Sequence, residues 1–280
     1  MFRQRALVSL IFTPLAFWLI YVGGLPLFLV LTFLLGVAGW EFASLFRAGG
    51  FRPAGFLLVG GIVVFQTGRY LGILRGEPFA YDSLFLAGIL FAVMAASIVG
   101  FERGNLRGGT DMLITFGGIF YVGFLGSYLL ALRALPDGAW WFMVTLPAVW
   151  LIDSGAYLFG RRWGGLLIRR KFSPRLSPNK TWEGFLGGIV SGTLGNALLC
   201  VAIQAVVGPP IAPTPWTSAI LGFLLALLTP LGDLGKSMFK RQVGVKDSGR
   251  LIPGHGGALD RMDTWLWAGV ISYYVISWFF

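Results

Sequence analysis

Leu25-Pro-Leu-Phe-Leu-Val-Leu-Thr-Phe-Leu-Leu-Gly-Val-Ala-Gly-Trp-Glu-Phe-Ala-Ser-Leu45 carries one acid and no base. Wound as a helix it is long enough to cross ~30 Å of hydrocarbon. Similar apolar runs recur at Ala6–Val22, Gly55–Thr67, Ser83–Gly100, Met112–Leu132, Ala139–Phe159, Phe185–Val207, Trp216–Leu231 and Trp265–Phe280. With 56% hydrophobic and only 12% charged residues in 280, the chain is not an ordinary soluble globule. The expected fold is all-α: a polytopic membrane helix bundle of about nine transmembrane helices.

Charge placement tests that count, because cytoplasmic loops collect Lys and Arg. Counting from a cytoplasmic N-terminus, 19 of the 22 basic residues fall on one side and only Arg69, Arg75 and Arg133 on the other. This places the N-terminus in the cytoplasm and the C-terminus on the opposite side. The first run follows Arg3 and Arg5, and no small-residue cleavage site separates it from the next run, so it reads as a retained helix rather than a signal peptide. A net charge of +10 confined to short loops at one membrane face favours anionic lipid head groups and phosphorylated substrates over nucleic acid. For the scattered arginines of the first half, a role as topology signals suffices. Cys200, the single cysteine, falls in an apolar helix and reads as a small core residue.

Residues 1–150 are apolar helices with little chemistry and serve structure and dimerisation. Gly-rich runs such as Leu35-Gly-Val-Ala-Gly39 and Gly60-Gly61 allow close helix packing. Trp18, Trp40, Trp140, Trp141, Trp265 and Trp278 sit toward span ends as interfacial anchors. Glu41 and Asp111 are placed at helix ends and Glu102 in a turn, where capping or solvated pairing explains them.

Residues 151–280 hold the chemistry, in a catalytic region with two cytoplasmic polar loops, 160–184 and 232–264. Asp153 lies inside an apolar helix, where a carboxylate needs a cation, a metal, a water-filled cavity or an ion pair with Arg161 or Arg162. Tyr157, four residues on, shares its face. In the first loop Ser177-Pro178 resembles a helix start, with serine as N-cap and proline at the first helical position. Lys180 and Thr181 would then lie in the first turn, offering backbone N–H groups and a cation to an anion, with Glu183 close by. Arg169, Arg170 and Lys171 are explained as well by topology.

Asp233, Lys236, Ser237, Lys240 and Arg241 recur at i, i+3, i+4, i+7 and i+8, one face of a helix. Lys246 and Asp247 follow the turn at Gly244. Ile252-Pro-Gly-His-Gly-Gly257 cannot be regular helix, and its glycines, Gly256 and Gly257 among them, permit close backbone approach to a phosphate. His255, the only histidine, caps a turn or contacts phosphate. Asp260 and Asp263 share a helical face, where two anions favour either a bound cation or a helix start with Arg261 as partner. An all-oxygen ligand set suits magnesium or manganese rather than zinc.

The run Ser237-x-Phe-Lys-Arg-x(4)-Lys-Asp-x-Gly-x(2)-Ile-Pro-x-His-Gly-Gly-x(2)-Asp-Arg-Met-Asp263 closely resembles the signature of the phosphatidate cytidylyltransferases, or CDP-diacylglycerol synthases. Asp153-Ser-Gly-Ala-Tyr-x(2)-Gly160 and Ser177-Pro-Asn-Lys-Thr-Trp-Glu-Gly184 are similar to the same family. Ala258 departs from it, standing where the family usually carries a larger aliphatic residue.

The resemblance implies that CTP and phosphatidic acid react to give CDP-diacylglycerol and pyrophosphate, with magnesium, in a homodimeric, multi-pass enzyme of the plasma or inner membrane. It implies Asp233, Asp260 and Asp263 around the metal, manganese being the alternative and a monovalent ion a candidate second cation. Lys240, Arg241, Lys246, Asp247, His255 and Arg261 would be catalytic, holding phosphates, with Asp247 in support. Asp153, Tyr157, Ser177, Lys180, Thr181, Glu183, Ser237, Gly256 and Gly257 would bind substrate, and the site would face the cytoplasm. Two rivals remain at this point: a lipid-alcohol kinase using CTP, and a transporter with Asp153 and Asp233 in an ion path.

Overall fold

In a computed structural model, residues 13–208, 211–245 and 257–280 are described. Lys246, Asp247, His255 and Gly256 lie outside the described residues. The described chain is helical, with no strand beyond one isolated bridge between Ser173 and Ser177. Its helices are α1 (Thr13–Val22), α2 (Gly24–Ala48), α3 (Gly55–Leu74), α4 (Asp82–Glu102), α5 (Gly108–Gly118), α6 (Leu125–Ala134), α7 (Gly138–Trp163), α8 (Trp182–Val207), α9 (Pro215–Leu228), α10 (Pro230–Gln242) and α11 (Ala258–Phe279). Each apolar run of the sequence has a helix among the described residues, the part of the first run before Thr13 lying outside them.

Among the described residues, seven helical segments are long and apolar enough to cross a membrane, α5–α6 and α9–α10 each counting as one. α11 is 22 residues long but rich in Trp and Tyr. The protein is an all-helical, polytopic membrane protein. Its backbone N–H and C=O groups are satisfied within each helix, as hydrocarbon demands.

The chain divides into two compact units. The first comprises the residues up to Ala131 together with Phe239–Leu266; the second comprises Leu132–Met238 and Trp267–Phe280. This departs from a boundary at 150, because chain proximity does not decide which helices pack together: α10 and α11 each contribute to both units.

In the first unit, α2 and α3 approach closely through glycine. A Cβ on Gly39 would lie 2.7 Å from Leu58 Cδ2, and one on Gly61 of α3 would lie 2.8 Å from Ile119, beyond α5, as expected for helices that pack without a hydrophobic drive between them. Between α5 and α6, Ile119–Phe124 widens into a π-helix. The Gln66 amide spans to it, its Nε2 donating to the Gly123 carbonyl at 3.2 Å. Phe239 of α10 packs among Phe42, Phe46 and Tyr121, with centroids 5.6, 5.9 and 5.8 Å away. Only Ile89 and Val93 of α4 are buried, leaving the rest of that apolar helix on the outside.

Arg69, counted as a loop cation from sequence, is instead 1% exposed within α3. Its guanidinium donates to Asp82 at 2.9 Å, the Pro78 carbonyl at 2.6 Å and Ser127 at 3.0 Å, and it lies 3.8 Å from the Phe79 ring. A planar fork with five donors can be buried only when supplied in this way.

In the second unit, the Ser191 hydroxyl of α8 donates to the Leu151 carbonyl of α7 at 3.0 Å. Asn196 of α8 donates to the Ser218 carbonyl of α9 at 2.8 Å. Such bonds hold apolar helices together where packing alone is weak. Pro230 ends the α9 ladder and opens α10. Thr145 and Ser272 tie α7 to α11 at 3.1 Å. Trp141, assigned to the interface from sequence, is 2% exposed and stacks on Phe280; its distance from the span end did not reveal that Phe280 covers it. Cys200 is fully buried, as its apolar surroundings predicted.

Candidate functional site

In the second unit the polar loop 160–184 ends at α8, and the way it ends positions Lys180. The helix starts at Trp182, not at Ser177-Pro178: Thr181 is the N-cap, its hydroxyl accepting from the Gly184 amide at 3.1 Å. Ser177-Pro178-Asn179-Lys180 instead forms a β-turn closed by the Lys180 amide on the Ser177 carbonyl at 3.1 Å. Proline suits the second position of such a turn as well as the first position of a helix, which is why the sequence misled. Ser177 is half-buried in this turn, and the Thr181 hydroxyl serves the helix.

The turn delivers Lys180 to α10. Its Nζ lies 2.6 Å from Asp233 Oδ2, while Lys236 approaches Oδ1 at 3.4 Å. Asp233 is thus clasped by two ammonium groups, one from each polar stretch of this unit, and remains about one-third exposed. Phe172 closes the turn from behind, 4.8 Å from the Trp182 ring and 5.0 Å from Phe185.

Glu183 is 4% exposed. One carboxylate oxygen accepts from the amides of Leu167 and Ile168 at 3.0 and 2.8 Å, so it pins the loop that leads to Arg169, Arg170 and Lys171. Asp153 and Tyr157 share an exposed face of α7, and the Tyr157 hydroxyl accepts from Arg161 at 3.1 Å. Ser237 is half-buried on α10.

In the first unit, α10 continues with Lys240 and Arg241, and α11 opens with Asp260, Arg261 and Asp263. Lys240 Nζ lies 3.1 Å from Asp260 Oδ1. Asp263 is 2% exposed, with Thr264 donating to it at 3.3 Å, whereas Arg261 and Arg241 are exposed.

Sequence reasoning missed Glu41. It was placed at a helix end, but it lies within α2, 6% exposed, and its Oε2 accepts from the Leu259 amide of α11 at 2.9 Å. The available signal was that Glu41 is the single acid of an apolar helix and so needs a partner. Asp111 does sit in a first turn, where it accepts from the Arg52 amide and the Asn105 side chain, both at 2.8 Å.

The donors at hand are carboxylate oxygens, which fit a hard divalent ion such as magnesium in kind. Among the described residues, no three His, Cys, Asp or Glu side chains gather into one group.

The sequence matches the Cytidylyltransferase family over residues 3–279. A Brucella suis protein named phosphatidate cytidylyltransferase is 34% identical over 275 residues, 97% of this chain and 92% of that one. Proteins of the same name from Staphylococcus haemolyticus and Mycobacterium leprae are 40% identical over 181 residues and 39% identical over 158. These cover 65% and 56% of this chain, and 64% and 46% of theirs. The chain belongs to the cytidylyltransferase family.

Proposed function

We infer that the protein transfers the cytidylyl group of CTP to phosphatidate, giving CDP-diacylglycerol and pyrophosphate for phospholipid biosynthesis. One observation carries this: relatives named phosphatidate cytidylyltransferase align with 97% of the chain, the polar stretches included. The arrangement within each unit suits that chemistry.

A phosphate oxygen of phosphatidate bonds to the α-phosphorus of CTP, the bond from that phosphorus to the bridging oxygen breaks, and pyrophosphate leaves. Two polyanions must meet, and the charge that develops must be offset. In the second unit Lys180 and Lys236 flank Asp233 in a partly exposed cluster that a phosphate can join. In the first unit Lys240 stands beside Asp260, with the exposed Arg241 and Arg261 nearby in sequence. Lys246, Asp247 and His255 belong to the same reading, as phosphate holders with Asp247 in support.

Asp233 in the second unit, and Asp260 and Asp263 in the first, are the carboxylates we assign to magnesium or manganese, which would supply positive charge to the reacting phosphates; a monovalent ion is a candidate second cation. Ser177, Lys180, Thr181, Ser237, Gly256 and Gly257 are assigned to the phosphates of substrate. Glu183 acts by fixing the loop, and Asp153 with Tyr157 by ordering the face they share. The phosphatidate phosphate is its own nucleophile, so no protein nucleophile is required.

A cytoplasmic N-terminus, an outward C-terminus and a site facing the cytoplasm are supported by the one-sided placement of basic residues, 19 against Arg75 and Arg133 once the buried Arg69 is set aside, and the plasma or inner membrane is the proposed location. CTP is a cytoplasmic substrate, which fits this orientation. A homodimer completes the proposal, with the outward apolar face of α4 as a candidate surface.

The reading is tested with CTP labelled separately at the α- and γ-phosphates. Cytidylyl transfer puts the α label in lipid and the γ label in pyrophosphate. A lipid kinase would put the γ label in lipid and release CDP, which would overturn the proposal.

A further inference from the structure

α11 carries Asp260 and Asp263, yet the residue before its first turn cannot cap it. Helix N-termini leave backbone N–H groups without partners, usually satisfied by a Ser, Thr, Asp or Asn side chain at the N-cap. Here the helix starts at Ala258, and Gly257, which has no side chain, precedes it. The acceptor comes instead from the middle of α2: Glu41 Oε2 takes the Leu259 N–H at 2.9 Å.

Gly257 is part of the device. A Cβ built on it would lie 2.8 Å from the Glu41 carboxyl carbon, so glycine is what lets the carboxylate reach the helix end. Glu41 is 6% exposed, and its Oε1 is buried with no hydrogen bond among the described residues. Burying a carboxylate with one of its oxygens unsatisfied is costly. The bond to Leu259 and the positive end of the α11 dipole are what offset that cost.

We propose that Glu41 is a positioning residue for cytidylyl transfer: it caps α11 from α2 and so fixes the direction in which Asp260, the next residue after Leu259, and Asp263, one turn further on, are presented. The inference rests on the function proposed above. It assigns a role to the apolar half of the chain, where sequence reading found only structure. An unanchored first turn would leave both carboxylates on a fraying helix end, and a displacement of about 1 Å can cost about 100-fold in rate.

The test uses the full-length protein and its Glu41→Ala and Glu41→Gln variants. Glutamine keeps an oxygen acceptor where the carboxylate stood; alanine removes it. Glu41→Ala should lower kcat by about 10- to 100-fold while the KM values for CTP and phosphatidate stay within about twofold. Glu41→Gln should recover most of the lost rate. Amide exchange at Leu259 should speed up in the alanine variant and stay slow in the glutamine variant.

A residue needed only for folding would reduce the amount of folded protein and leave kcat per folded molecule unchanged; that result overturns the proposal. So does unchanged Leu259 exchange in Glu41→Ala, or a rate loss in Glu41→Gln as large as that in Glu41→Ala. Failure of the wild-type protein to use CTP and phosphatidate would overturn the functional reading and the catalytic half of this proposal with it, while the exchange measurement would still decide the cap.

Discussion

Lys180 Nζ lies 2.6 Å from Asp233 Oδ2, an ion pair that joins the turn before α8 to the start of α10. It brings together two polar stretches separated in sequence by a membrane-spanning helix and most of a second. Because Lys236 also approaches Asp233, the carboxylate sits between two cations and keeps about one-third of its side chain exposed.

Replacing Lys180 with alanine should separate catalysis from stability. Both partners are about one-third exposed, so the pair contributes only about 0–1 kcal/mol to folding. Turnover at limiting substrate should nevertheless fall by at least about tenfold, the usual loss when a charge-assisted phosphate contact disappears. Steady-state kinetics beside a thermal-unfolding scan check this. Wild-type kcat/KM in Lys180→Ala would remove the residue from the site.

Glu183→Ala should loosen the basic loop. The variant loses two hydrogen bonds from the Leu167 and Ile168 amides to a carboxylate. Trypsin should then cut faster at Arg169, Arg170 and Lys171, with Glu183→Gln intermediate because it keeps an oxygen acceptor. Equal cleavage rates in all three proteins would show that the loop is held by other contacts.

Arg69→Ala should damage stability and spare chemistry. The change leaves Asp82 without its guanidinium and opens a hole under the Phe79 ring, and breaking a buried pair of this kind costs about 3–5 kcal/mol. The thermal midpoint should drop clearly, while kcat per folded molecule stays at the wild-type value. A change in kcat without loss of stability would move Arg69 from scaffold to site.

These cases also mark what the sequence reveals. Every long helix could be read from hydropathy, because a bilayer leaves the backbone few alternatives. The helical face from Asp233 to Arg241 was equally legible, since period 3.6 fixes it locally. Arg69 was not: a cation near the end of an apolar run looks like a loop residue until Asp82, Pro78 and Ser127 are seen around it. Glu41 escaped for the same reason, since its partner Leu259 lies at the far end of the chain. Ser177-Pro178 failed differently, because one dipeptide serves both a turn and a helix start; here it makes the turn, and Thr181 caps the helix.

The most direct test of the account compares purified wild-type protein with Asp263→Asn, a buried carboxylate at the start of α11, given CTP, phosphatidate and magnesium. Wild type should form CDP-diacylglycerol and pyrophosphate in equal amounts. Asp263→Asn, folded by its helical signal and thermal transition, should form neither. Asp263→Asn turning over at the wild-type rate, or wild type consuming CTP without making a cytidylylated lipid, would contradict it.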